Sequence, residues 1–180
     1  FCAVVCLCGL GFSGCMPGAG ANVSELLRAP QFSGQYSQVQ KALNAYLGEP
    51  AQLKYPTGGG HQSPFLFGDW DGNGTEDAAV FYTSPSKGPN VQLAVLEQRS
   101  GLWQVTQERE GLAAEVESVS TAAMDQETAV GTQLVVGYGT SQGDKYLTVY
   151  AYADVTLSSV LETSYSEYLL ADITGTGSRY

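Results

Sequence analysis

Short β-type runs, each closed by Gly, Asp, Asn or Ser, fill the chain from Pro64 onward, and that spacing restricts it to a mainly β fold. The clearest runs are Ala78–Tyr82, Val91–Gln98, Leu102–Glu108, Gln133–Tyr138, Lys145–Ala153 and Leu157–Ser164. Gln98-Arg99-Ser100-Gly101 fits a hairpin loop between two of them. In the fifth run Tyr146, Thr148, Tyr150 and Tyr152 alternate with Leu147, Val149 and Ala151, so one face is aromatic and the other aliphatic. Strands this short and this evenly spaced suit a sandwich or a propeller. An apolar content of 43% supplies a core, and 22 glycines among 180 residues fit a turn-rich chain.

One helix is expected, over residues 33–49. Val39, Ala42, Leu43, Tyr46 and Leu47 form a stripe of period 3.6, and Gly48 with Glu49-Pro50 supplies the stop. Its apolar stripe is expected to cover part of the β region.

The most distinctive segment is Gly68-Asp69-Trp70-Asp71-Gly72-Asn73-Gly74-Thr75-Glu76-Asp77, which runs directly into the strand Ala78–Tyr82. Asp69, Asp71, Asn73 and Asp77 fall on alternating positions, with Thr75 between, so three carboxylates, an amide oxygen and a backbone carbonyl can converge. That all-oxygen set suits Ca²⁺ rather than Zn²⁺. Gly72 and Gly74 permit the positive φ angles needed to wrap an ion. An EF-hand is disfavoured, because Val80 stands where the bidentate Glu belongs and a strand follows. The metal-free alternative is a turn whose Asp and Asn side chains cap their own backbone.

The segment recurs. Leu170-Ala171-Asp172-Ile173-Thr174-Gly175-Thr176-Gly177 repeats it, and Asp125–Tyr138 repeats its strand with an eroded loop. These residues resemble the FG-GAP/VCBS repeat family, seven-bladed β-propellers of the integrin α-subunit type. The resemblance covers residues 65–180. It implies a partial propeller within residues 50–180, with loops at 69–77, 125–133 and 172–180, and calcium at the first loop. Asp172, Thr174 and Thr176 make a weak second site. Because the third loop stops at Tyr180, the chain is expected to be a fragment of a longer array.

All four cysteines lie within the first fifteen residues, which leaves no disulfide framework or cysteine zinc site in the body. Residues 1–14 are uncharged and apolar, too short to span a bilayer but of signal-peptide length. Phe12-Ser13-Gly14-Cys15 resembles a bacterial lipobox, with Phe12 where Leu is usual. The resemblance implies that residues 1–14 are removed and that Cys15 carries the lipid. Residues 15–32 then form the lipidated tether. With no initiator Met or basic leader, the start also reads as truncated. Tether, helix and repeats together look like the VCBS-type lipoproteins of Gram-positive bacteria.

Eight basic against eighteen acidic residues give a formal charge of −10, which disfavours nucleic acid. No catalytic constellation stands out. The sole histidine, His61, sits in a glycine stretch read as a flexible connector, and Glu108, Glu110, Glu115 and Glu117 read as a solvated face. The expectation is a lipoprotein anchored on the outer face of the bacterial cytoplasmic membrane, a non-catalytic binding or scaffold module for an unknown protein or glycan. Two alternatives stay open: the N-terminal part of an extracellular polysaccharide-active enzyme, and an adhesion module for host or neighbouring-cell protein. Oligomeric state is not legible.

Overall fold

A computed structural model describes residues 34–124, 130–153 and 156–171. Among them are one helix and two antiparallel sheets, so the chain is mainly β. Cys15, the signal and tether residues, and the third loop with Asp172, Thr174 and Thr176 lie outside the described residues, as do residues 125–129 of the second loop. No helix among the described residues is long and apolar enough to cross a membrane.

The helix α1 runs Gly34–Leu47. It ends where expected: the Gly48 amide donates to the Asn44 carbonyl at 3.0 Å, and Gly48 takes φ 72°, a left-handed cap that glycine adopts without strain.

The first sheet contains β1 (Gln52–Leu53), β2 (Phe65–Gly68), β3 (Asp77–Thr83), β4 (Gln92–Arg99) and β5 (Leu102–Glu110). β1 and β2 lie end to end along one side of β3, and β4 and β5 follow on the other side. The second sheet is a simple meander of β6 (Glu115–Ala122), β7 (Val130–Gly139), β8 (Lys145–Ala153) and β9 (Thr156–Ser164). The six strands read from the sequence all form, with ends shifted by a residue or a few. The β4–β5 hairpin narrows to Ser100 (φ 54°) and Gly101 (φ 78°), the two left-handed residues that a tight hairpin turn requires.

Strand alternation decides which face is buried where. From the first sheet Ala79, Phe81, Leu93 and Val95 point toward the second. They meet Val116, Val119, Leu134, Val136, Tyr138 and Tyr150 in one core. The aromatic face of β8 is therefore the inner one: Tyr150 and Tyr152 are buried, and the Tyr138 and Tyr150 hydroxyls lie 3.0 Å apart. The aliphatic face of β8 points outward, where Leu147 and Val149 are covered by Tyr165, Tyr168 and Leu170. On the far side of the first sheet α1 packs along β5, with Val39 and Leu43 buried. The Tyr36 ring meets Phe65 and Phe67 edge-on at 5.3 and 5.2 Å.

One expectation is corrected and another is refined. The stretch Thr57-Gly58-Gly59-Gly60-His61 is tied down: the Thr57 and Gly58 amides donate to the carbonyls of Val116 and Glu117 on the β6 edge, at 3.0 and 2.7 Å. A Cβ on Gly58 or Gly59 would come within 3.3 Å of β6, so the glycines serve close approach. None of the glutamates read as a solvated face is buried, and they are paired there. Glu108 accepts from the Tyr82 hydroxyl and from Lys87 at 2.6 Å, Glu115 from Lys54 at 2.9 Å, and Glu117 from Lys145 at 2.7 Å.

Between the sheets Gly111 leaves no room for a side chain. A Cβ there would sit 2.5 Å from the Tyr138 ring and 3.0 Å from the Val91 carbonyl. Gly111→Ala should lower stability by about 1–3 kcal/mol through overpacking. It should appear as a lower urea midpoint with an unchanged slope.

Candidate metal centre

The acidic segment is the connection between β2 and β3, closed by the pair Gly68↔Asp77. Asp77 is the first residue of β3 and faces the second sheet. Gly72 and Gly74 take φ 73° and 83°, as the turn requires. Trp70 folds back into the inter-sheet core, its ring lying over Gly68 so closely that a Cβ there would come 2.9 Å from it. Gly131, at φ 77° near the start of β7, fits against the loop backbone, where a Cβ would lie 2.5 Å from the Trp70 carbonyl oxygen. Gln35 of α1 donates to Glu76 at 2.6 Å, so helix, loop and second sheet all hold the turn.

Inside it, carboxylate oxygens of Asp69, Asp71 and Asp77 lie within 4.8 Å of one another. The Asp69 oxygens accept from the Asn73 and Gly74 amides at 3.0 and 2.9 Å. Asp71 accepts from the Asn73 amide at 3.1 Å and from its side-chain Nδ2 at 2.8 Å. Asp77 Oδ2 accepts from the Trp70 amide at 3.1 Å, but its Oδ1 is buried with no partner. A wholly buried carboxylate with one free oxygen is costly unless something positive or protonated meets it. Burial pushes the Asp77 carboxyl up to about 6, with Asp71, Glu97 and Asp69 adding to the rise and the Trp70 N–H opposing it.

The five residues singled out from the sequence do not all converge. Asp69, Asp71 and Asp77 do. Asn73 instead turns its Oδ1 to the Thr75 amide, at 2.7 Å, and to the Thr75 hydroxyl. The loop therefore combines both expected arrangements: an acidic cluster around Asp77, and side chains that cap their own backbone. Sequence reasoning passed over Trp70, whose large ring between two aspartates is out of place in a solvated turn, and Gly131, which the eroded second copy conceals. His61 Nε2 lies 2.9 Å from the Phe65 carbonyl oxygen.

The comparisons with known proteins return no match: no family model fits the sequence, and neither a curated protein nor a solved structure matches it. The chemistry of the site rests on its own atoms. Three convergent carboxylates with an unsatisfied buried oxygen fit a hard divalent cation.

A raised carboxyl pKa means that the folded state holds the proton more tightly than the unfolded chain. Protonated Asp77 therefore favours folding, and that contribution fades between about pH 4, the unfolded value, and about 6. In chelator, Asp77→Asn should match the parent Tm near pH 4 and exceed it above pH 6. Thermal melts across this range check the sign.

Proposed function

We propose that the chain is a cell-surface-anchored bacterial lipoprotein whose two meanders are propeller-type blades of the FG-GAP/VCBS kind, acting as a non-catalytic binding or scaffold module. The supporting observation is the acidic cluster itself: Asp69, Asp71 and Asp77 converge in the β2–β3 loop of a five-stranded antiparallel sheet that is followed by a four-stranded one. Asp69, Asp71 and Asp77 would hold Ca²⁺, with backbone carbonyl and water oxygens completing its shell. Asn73 would join only by releasing Thr75. The ion would neutralise a buried carboxylate and fix the loop against the second sheet, which is a structural role.

Calcium should raise the Tm of the chain at pH 7 relative to chelator. A concentration one hundred times Kd corresponds to about 2.7 kcal/mol. Asp71→Asn should reduce the rise; an unchanged Tm would remove the metal from the proposal. The anchor rests on Cys15 and is tested separately. Expressed in a Gram-positive host, the parent should stay with the membrane and Cys15→Ala should appear in the medium. Equal release of both would end the lipoprotein reading.

A further inference from the structure

The apolar packing between the sheets does not continue to their ends. Along the inner face of the first sheet, Leu93 and Val95 give way to Glu97 and Arg99 on β4, with Gln104 and Thr106 beside them on β5. Tyr152 of β8 faces these residues, and Asp71 of the acidic loop closes one side. Together they line a cleft of about 470 Å³, within the ~300–1,000 Å³ usual for small-molecule sites. Tyr152 is buried, and its hydroxyl, next to Thr106, makes no hydrogen bond of good geometry. A buried phenol without a partner is costly, and a ligand group that reached it would recover that cost.

The lining selects the chemistry of that partner. Arg99 is already engaged by Glu97, at 3.0 and 3.3 Å, and Asp71 adds a further negative charge, so an anion is repelled. An apolar ligand would strand the Tyr152 hydroxyl and the Gln104 amide. Hydroxyl groups, each both donor and acceptor, match carboxylate, amide, guanidinium and phenol together. We infer that this inter-sheet cleft binds a neutral polyhydroxylated ligand, a sugar unit, through Tyr152, Gln104 and Asp71. The inference rests on the reading of the domain as a binding module and names its ligand class. Asp71 is shared with the acidic cluster, so a cation in the loop sets the charge of one cleft wall.

The test is saturation-transfer NMR on the full chain with the methyl glycosides of glucose, galactose, mannose and N-acetylglucosamine. Each is run in Ca²⁺ and in chelator, with spermidine as a cationic comparison. At least one glycoside should bind saturably. Tyr152→Phe and Gln104→Ala should each weaken it about tenfold, the equivalent of one hydrogen bond. Gln104 is exposed, so its variant decides the matter if Tyr152→Phe fails to fold. No glycoside binding in either condition, binding undiminished by the folded variants, or binding of spermidine alone would overturn the inference. A calcium-induced rise in Tm without glycoside binding would overturn it while leaving the metal centre standing.

Discussion

The fold depends on one contact, the face-to-face packing of two antiparallel meanders. Neither sheet alone could bury Phe81, Leu93 and Val95 or Leu134, Val136 and Tyr138; each supplies the other's interior. Polar links then fix how the faces meet. Arg109 reaches from β5 to its own neighbouring carbonyl at Glu108 and across to the Leu157 carbonyl on β9. The stretch before β2 hydrogen-bonds to the edge of β6. A non-directional apolar attraction is thereby given one relative position by a few directional bonds.

The acidic loop has its unusual electrostatics because of where this packing puts it. A turn rich in Asp and Gly would ordinarily sit in water, with its carboxylates solvated. Here Trp70 is drawn into the inter-sheet core, and the following strand carries Asp77 inward on the same face as Ala79 and Phe81. One carboxylate is thus buried by strand parity alone, with two more held beside it by backbone amides. The site is a by-product of sheet register: a shift of one residue in β3 would turn Asp77 toward the helix side.

Much of this was legible in the residues. The helix stripe, the six stronger strands and the Asp-x-Asp-Gly loop each follow a local rule of periodicity or turn chemistry. The strands that escaped notice lack such a rule. β6 has only Val116, Val119 and Ala122 as apolar markers, and a bulge between Val116 and Ser118 breaks their alternation. β1 is two residues long and exists because β3 is there to pair with. The glycines at 58 and 59 read as slack, since nothing local shows that another strand lies against them. The Asn73 side chain was assigned inward by alternation, yet it satisfies Thr75 first, because an amide in a tight turn finds nearby backbone before distant charge. Tertiary proximity, which a single sequence does not display, accounts for each of these differences.

The cover over the outer face of the second sheet behaves differently from the rest of the fold. Tyr165, Tyr168 and Leu170 shield Leu147 and Val149 by side-chain contact, with the Tyr165 amide bonded to the Lys145 carbonyl at 3.1 Å and the Tyr168 hydroxyl 2.9 Å from Ser118. No ladder of backbone bonds holds this segment as the strands are held. Lifting it breaks a few bonds and leaves the meander beneath intact, so it forms an opening unit of its own. In hydrogen-exchange terms, the amides of the flap itself, Tyr165 among them, report this local opening, while those of the meander beneath report the two-sheet core. Leu147 and Val149 on the aliphatic face of β8 are the apolar surface that such an opening uncovers.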